Sequence, residues 1–411
     1  MKRSIAIVSP FLDKRHGTER CVAEQAERLA RDFGYEVHIY AQRVEDVEGV
    51  TLERKAPAAG LIYHQVPAVG GPHMLNYVWW FAANQIQRWF DRAFRGASYD
   101  LVYTPGINCF DADVSSVHIV FSEFRRRLSR RLALGGNPLR AWPRMLHRRV
   151  YYALLAALER LIYPRRRLRV AAVSRRIAGD LARHYSRRED VPVIYHGVDL
   201  ARFRPDALRS RRETARTALG LTSGDVTLLL VGNDWKNKGL DTLLDALASL
   251  KRPELRLLVV GADDRSPFEP RIRDLGLETT LSFHPPRPDV EFYYAAADIC
   301  VAPSLEDAFA LPPAEAMACG VPAIVSSRAG ASEWITDGVD GLILRDPEDA
   351  AELGGAIVRL ADSPQLREQM GARAAARVGE FTWDRNAAEL AAIFDEVLTA
   401  REAQTEPQHV H

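Results

Sequence analysis

Short runs of aliphatic and β-branched residues alternate along the chain with longer stretches whose apolar positions return every third or fourth residue. The first run, Ser4–Val8, reads as a buried strand. A loop containing Gly17 follows, then a helix whose Val22, Ala26, Leu29 and Ala30 share one face, with Thr18 at its N-cap. A strand at Glu36–Ala41 completes a βαβ unit. Further strands are predicted at Leu61–Val66, Asp100–Thr104, Val114–Val120 and Arg169–Ser174. From Val226 the alternation sharpens, with strands at Thr227–Val231, Arg256–Gly261, Thr280–His284, Asp298–Ala302, Ala323–Ser326 and Gly341–Leu344. Leu/Val runs this continuous fit parallel strands covered on both faces. Between the two series, Val191–Asp199 reads as a strand with a turn, which places the crossover between about 186 and 200. The predicted organisation is therefore an α/β domain over 1–190, a second over 191–380, and a segment 381–411. That last segment opens with an amphipathic helix at Thr382-Trp383 and ends in a disordered tail from Arg401 to His411. His409 and His411 belong to the tail and are not read as metal ligands.

Composition narrows the class. At 411 residues and 47% hydrophobic content the chain is an ordinary globular protein of two domains. Cys21, Cys109, Cys300 and Cys319 form no C-x-x-C pair, which points to a reducing cytoplasm and away from a disulfide framework or a metal site. The first apolar run is short and is broken by Pro10 and Asp13, so it reads as a core strand and not as a signal peptide; no run approaches ~18 apolar residues, so no transmembrane helix is expected. The net charge of +1 hides an asymmetry: residues 119–170 hold fourteen Arg against Glu123 and Glu159. Phe124-Arg125-Arg126-Arg127, Arg130-Arg131, Trp142, Arg148-Arg149 and Arg165-Arg166-Arg167 lie there, and Met74–Phe94 adds Trp79, Trp80, Phe81, Trp89 and Phe90. Basic side chains interleaved with aromatic ones suit an anionic membrane surface, an anionic glycan or nucleic acid. No RNA-binding or helix-turn-helix signature accompanies them, so nucleic acid is not expected.

The candidate chemistry centres on Ser304–Gly320, SLEDAFALPPAEAMACG. A strand feeds an acidic loop, and Pro312-Pro313 open a helix near Ala314. Unpaired N–H groups and the positive end of a helix dipole then meet at a strand end, which suits a diphosphate. Asp307 and Glu315 flank that point, and Glu315 in the first turn is placed to accept from two neighbouring hydroxyls, as on a ribose. In VGNDWKNKGLDTLLDA, Lys238 supplies positive charge after a strand. The bland reading of Lys236 and Lys238 is surface lysines in a βα loop.

This stretch resembles the donor-site signature of the family 4 retaining glycosyltransferases, E-G-F-G-L-P-x-x-E-A-M-A-x-G-x-P. Phe309, Leu311, Pro312, Glu315, Ala316, Met317, Ala318, Gly320 and Pro322 match it in register, with Asp307 in place of the first Glu and Glu306 one residue off. His16-Gly17-Thr18-Glu19-Arg20 resembles the family's G-G-x-E-R loop, and Lys238-Gly239 matches the end of G-R-x-x-x-x-K-G, with Asn233 where Arg is usual. The order of basic segment, Asn-Pro-Leu and Tyr/Arg-rich helix is similar to bacterial lipopolysaccharide-core glucosyltransferases. The resemblance implies a GT-B fold, two Rossmann-like doubly wound domains facing across a cleft, with the C-terminal helix returning to the N-terminal domain. It implies Lys238, Asp307 and His118 at the reacting centre. Gly17, Asn233, Lys238, His284, Ala308, Phe309, Ala310, Leu311 and Glu315 would surround the donor. His118 alternatively reads as a core histidine, and the loop at Gly17 as a plain βα turn. No metal and no cofactor are expected; Asp111-Ala112-Asp113 reads as loop.

The implied partners are a nucleotide-diphosphate sugar, UDP-glucose before GDP-mannose, and a membrane-associated glycan or lipid acceptor. Residues 119–170 would meet an anionic membrane surface on the inner face of the cytoplasmic membrane. A sugar-nucleotide epimerase of the same fold and a non-enzymatic anion-binding module are the alternatives. A dinucleotide-dependent oxidoreductase is disfavoured because no G-x-G-x-x-G follows either first strand.

Overall fold

The computed structural model describes residues 3–405 apart from 16, 53–59, 133–137 and 189, and the side chains of 52, 127–145, 404 and 405 are also outside the description. Expectations that rest on His16, Asn137, on the side chains of Arg127, Arg130, Arg131 and Trp142, or on His409 and His411 lie outside the described residues. The chain forms two compact units, Met1–Tyr195 with Trp383–His411, and His196–Thr382.

The first unit holds β1 (Ser4–Val8), β2 (Phe11–Leu12), β3 (Glu36–Ala41), β4 (Arg43–Val44), β5 (Val50–Leu52), β6 (Leu61–Gln65), β7 (Leu101–Pro105), β8 (Val114–Val117) and β9 (Arg169–Ala172). Seven of them make one parallel sheet in the order β5-β6-β3-β1-β7-β8-β9, while β2 and β4 pair separately. Alternation along β1 feeds two cores. Ile5 and Ile7 join Val22, Leu29, Leu390 and Phe394 on one face; Ala6 and Val8 join Val66, Trp80 and Val102 on the other. The C-terminal helix Trp383–Thr405 is thus an element of the first unit.

The second unit holds β10 (Val226–Val231), β11 (Leu255–Val260), β12 (Leu281–His284), β13 (Ile299–Ala302), β14 (Ala323–Ser326) and β15 (Leu342–Leu344). They form a parallel sheet ordered β12-β11-β10-β13-β14-β15. The strand order reverses between β10 and β13, and in open α/β sheets a ligand binds outside the carboxyl ends of the strands at such a point.

Several expectations change. Val191–Asp199 is no strand: Val193 bridges to Ala172 in the first unit, Val198 bridges to Thr382 in the second, and Pro192 has no N–H to continue a ladder. The division between units falls after Tyr195, within the expected window of about 186 to 200. Thr18 lies inside the helix Gly17–Arg31, one residue past its start, and is not its cap. The helix Trp383–Thr405 runs through Arg401, which bonds Asp113 and the Asp100 carbonyl, so the segment from Arg401 to Thr405 is ordered helix and not tail. Val50–Leu52 is a strand that the periodicity did not suggest.

Candidate functional site

Two loops meet at the β10/β13 reversal. The loop after β10 begins at Gly232 (φ +134) and ends at Gly239 (φ +79). Both positions need glycine. A Cβ on Gly232 would come 2.9 Å from Lys238 Cε, and one on Gly239 would come 2.1 Å from the Pro303 carbonyl oxygen. The loop is thereby pressed against the exit of β13, with the Lys238 side chain laid across its own start.

Three contacts clip it to the acidic loop. Leu305 N–H donates to the Asn237 carbonyl at 2.7 Å, and Asn237 Nδ2 donates to the Glu306 carbonyl at 2.8 Å. Lys238 Nζ donates to Asp307 Oδ2 at 2.5 Å, with both side chains 18% exposed. Asp307 Oδ1 accepts from the Phe309 N–H at 3.2 Å, and the Asp307 backbone bridges to Ala329. The register that selects Asp307 over Glu306 is therefore the one whose carboxylate meets Lys238; Glu306 is held by its backbone carbonyl.

The helix beyond this loop spans Leu311–Ala318, so it starts three residues before Ala314, and Glu315 falls just past the first turn. Its N-cap is Ala310 at φ 70, ψ 84, a left-handed conformation that costs a residue with a Cβ roughly 1 kcal/mol or more. Phe309 is 2% exposed and sits in an aromatic column, 4.8 Å from both His196 and Trp334, with Trp334 stacked on Phe381 at 4.0 Å. Its side chain and its N–H are both engaged within the protein, so Phe309 fixes the loop from inside. Ala308 and Leu311 stay partly exposed beside it.

Glu315 is 5% exposed and accepts from Tyr294 O–H at 2.8 Å. Burial first, and then the neighbouring Glu315 charge, push the Tyr294 hydroxyl well above its usual range, so it stays a donor. Asn233 uses its Oδ1 to accept from Ala262 N–H at 2.8 Å, and Asp263 accepts from Trp235 N–H at 2.8 Å; this staples the loops after β10 and β11. His284 ends β12, its Nε2 is 2.8 Å from Ser282 Oγ, and burial lowers its pKa.

Ser304 joins the site although no sequence motif marks it. Its side chain is fully buried, it lines a small cavity with Lys238, Ala302, Ala310 and Pro312, and among the described residues its hydroxyl has no hydrogen-bond partner. A buried hydroxyl beside a lysine with no partner among the described residues is available to donate to a ligand. Tyr294 is a second such residue; nothing in sequence ties it to Glu315. Asn237, next to Lys238 in the motif, belongs to the site through contacts that only the fold brings together.

Two predicted residues belong to the first unit. Gly17 is the first residue of the helix Gly17–Arg31, and a Cβ there would meet nothing within 4 Å, so no packing demand explains the glycine. His118 follows β8, is 7% exposed, and has Nε2 3.3 Å from Ser116 Oγ. Burial pushes its imidazole down to about 4, so it is neutral at pH 7. Asp111 is a salt-bridge partner: burial opposes its ionisation, but Arg88 at 2.6 and 2.7 Å holds it below the usual carboxylate range. Asp113 accepts from Val102 N–H at 2.8 Å.

The family description "Glycosyltransferase Family 4" matches residues 15–202, and "Glycosyl transferases group 1" matches residues 211–377. A D-inositol 3-phosphate glycosyltransferase of Jonesia denitrificans is 32% identical over 229 residues, 53% of this chain and 54% of that protein. One of an Arthrobacter species is 35% identical over 222 residues, 51% of each. The chain thus spans about half the length of the curated relatives it matches. Among solved structures, WaaG, a glycosyltransferase involved in lipopolysaccharide biosynthesis, superposes with a TM-score of 0.76 at 21% identity over 95% of this chain and 99% of that one. Anabaena Alr3699/HepE, solved with UDP and glucose, gives 0.70 at 18% identity over 96% and 100%. At these identities the likeness is one of fold.

Proposed function

Because the chain belongs to glycosyltransferase family 4 and has its GT-B class of two Rossmann-like domains, we propose that it moves a hexose from a nucleotide-diphosphate sugar to an acceptor hydroxyl with retention of configuration. The observation that carries this reading is the Lys238–Asp307 pair at the β10/β13 reversal, with three residues, Ala308 to Ala310, between Asp307 and the first residue of a helix. When the bond between the sugar's anomeric carbon and the diphosphate oxygen breaks, negative charge develops on the leaving phosphate. Lys238, the Leu311 N–H and the positive end of helix Leu311–Ala318 stabilise that charge, Pro312 and Pro313 having no N–H to donate. The acceptor oxygen bonds to the anomeric carbon on the same face, and its proton passes to the departing phosphate. Asp307, freed from Lys238 as the phosphate takes the ammonium, accepts from a sugar hydroxyl. Glu315, oriented by Tyr294, accepts from the ribose, and the Ser304 hydroxyl donates to a donor oxygen. His118, in the first unit, is neutral at pH 7, so the role proposed for it is that of a hydrogen-bond partner and not of a cation.

UDP-glucose is the donor of choice and GDP-mannose the next, with a membrane-borne lipid or lipopolysaccharide glycan as acceptor. No helix among the described residues is long and apolar enough to cross a membrane. Support for a peripheral contact comes from the exposed Trp89 and Phe94 of helix His73–Phe94 and from exposed Arg125, Arg126, Arg148 and Arg149. The relatives named for D-inositol 3-phosphate make that soluble acceptor the competing one.

Titration calorimetry with UDP-glucose, GDP-mannose and ADP-glucose tests the reading. One of them binds, and Lys238→Ala and Glu315→Gln weaken it by about 10- to 100-fold, the range for losing a charge-assisted hydrogen bond. Binding unchanged in Lys238→Ala removes the donor site from this loop. Turnover by Lys238→Ala falls by roughly 10²–10³-fold if Lys238 stabilises the leaving group. Incubation without acceptor separates the epimerase alternative, which would convert the donor to its epimer.

A further inference from the structure

A second cavity, of about 560 Å³, lies in the first unit. Its wall is made by the turn after helix Pro138–Ile162 and by Phe110, Asp111, Asp113 and Arg401. Asp113 immediately precedes β8, and the turn ends immediately before β9, so the cavity sits at the amino ends of these strands. That is the end of a parallel sheet opposite the one where the fold places its reacting groups. The volume falls within the range of small-molecule sites.

Its charge is unbalanced. Asp111 is neutralised by Arg88, and Asp113 by Arg401. Arg165 spends one guanidinium N–H on the Phe110 carbonyl at 2.8 Å and lies over the Phe110 ring at 5.2 Å, so its charge is not cancelled. Arg166 and Arg167 are exposed and make no ion pair with any described residue. Three adjacent guanidinium groups therefore line one cavity, against the apolar walls of Phe110, Ile162 and Leu168.

The turn that presents them is built from behind. Buried Arg187 donates from Nε to the Tyr163 carbonyl at 2.8 Å and from Nη2 to the Leu168 carbonyl at 2.9 Å and to the Arg165 carbonyl, and it pairs through Nη1 with Asp190. One guanidinium thus fixes three backbone carbonyls of the turn, at 163, 165 and 168. Holding like charges together costs repulsion, and the fold spends a buried arginine to keep the backbone beneath them in one geometry. Guanidinium forks suit the oxygens of a phosphate.

We propose that this cavity binds a phosphate-bearing ligand through Arg165, Arg166 and Arg167, as a site in the first unit independent of the nucleotide-sugar reading. The phosphate comes either from a soluble phosphorylated molecule or from an anionic lipid headgroup.

The test titrates the full chain with inorganic pyrophosphate, and separately with phosphatidylglycerol and phosphatidylcholine vesicles. Pyrophosphate would also occupy a donor site, so the titrations are run in a Lys238→Ala background. Arg166→Gln/Arg167→Gln is compared with Arg209→Gln/Arg273→Gln, an equal charge change at exposed arginines of the second unit. The expected result is binding that weakens by at least about tenfold in the first variant and is unchanged in the second. Binding of pyrophosphate assigns a soluble ligand. Binding of phosphatidylglycerol vesicles alone, with phosphatidylcholine silent, assigns the headgroup. The proposal is overturned if neither probe binds, if Arg166→Gln/Arg167→Gln binds like its parent, or if both variants weaken equally. Nucleotide-sugar binding, measured with Lys238 intact, stands or falls separately.

Discussion

Ser304 and Lys238 face one small cavity, yet they answer to different tests. Among the described residues the Ser304 hydroxyl has no partner, so Ser304→Ala should give up no hydrogen bond to them and leave thermal stability unchanged. If the hydroxyl donates to the bound sugar nucleotide, the same variant loses about 1 kcal/mol of binding, roughly fivefold in Kd by calorimetry. A drop in melting temperature with unchanged affinity would make Ser304 structural instead. His118 titrates in the opposite sense from a histidine that gains an anionic partner. Burial lowers its folded pKa from 6.5 to about 4. Between those values the unfolded chain takes up a proton that the folded chain refuses. Its contribution is therefore fully present above pH 6.5 and is lost as pH falls towards 4, by on the order of 3 kcal/mol. Denaturant unfolding at pH 7 and pH 4.5 should show His118→Gln with a shallower fall than the parent. Parallel curves would mean that His118 does not report the acid loss.

Helices and loops decide how much of this could be read beforehand. The strands were legible because doubly covered parallel strands leave unbroken aliphatic runs, and β1 and β14 fall at their expected ends. The acidic loop was legible because its chemistry is local: Asp307, Phe309 and Glu315 stand at fixed spacing in one segment. What joins loops was not. Asn237 to Glu306, Tyr294 to Glu315 and Arg187 to the 163–168 turn are contacts between elements far apart in sequence, and no periodicity encodes them. Asn233 shows the limit of position alone. It stands where the family's arginine would, but its side chain holds the Ala262 N–H, a structural duty that a pattern match does not reveal. The C-terminal helix illustrates the converse. Its amphipathic pattern was plain, and the structure places Leu390, Ile393, Phe394 and Leu398 in the first core, with Phe394 packed on Tyr103 at 5.5 Å and Tyr35 at 6.1 Å. Phe394→Ala should cost about 3–5 kcal/mol. A cost below ~1 kcal/mol by denaturant titration would mean that the helix adds little to that core.

At the scale of the whole molecule, each unit has its own core. The residues around Ile5, Leu29 and Phe394 all belong to the first, and those around Leu243, Leu257 and Met370 all belong to the second. No residue is shared between these clusters, even though the last helix of the chain closes the first unit. Unfolding should then be governed by two cooperative blocks and not one. Two substitutions address them separately. Phe394→Ala empties part of the first core. Gly371→Ala acts on the second, because a Cβ at Gly371 would come 2.0 Å from the Gly320 carbonyl oxygen, and backbone must move to admit it. For blocks of this size each kcal/mol moves a melting temperature by roughly 2–4 °C, so Phe394→Ala should lower one calorimetric component by about 10 °C and leave the other in place. Gly371→Ala should do the reverse. Saturating nucleotide sugar should raise only the component that Gly371→Ala lowers, since Lys238, Asp307 and Glu315 all lie in that unit. A single transition that moves as a whole with either substitution would show that the two cores unfold together.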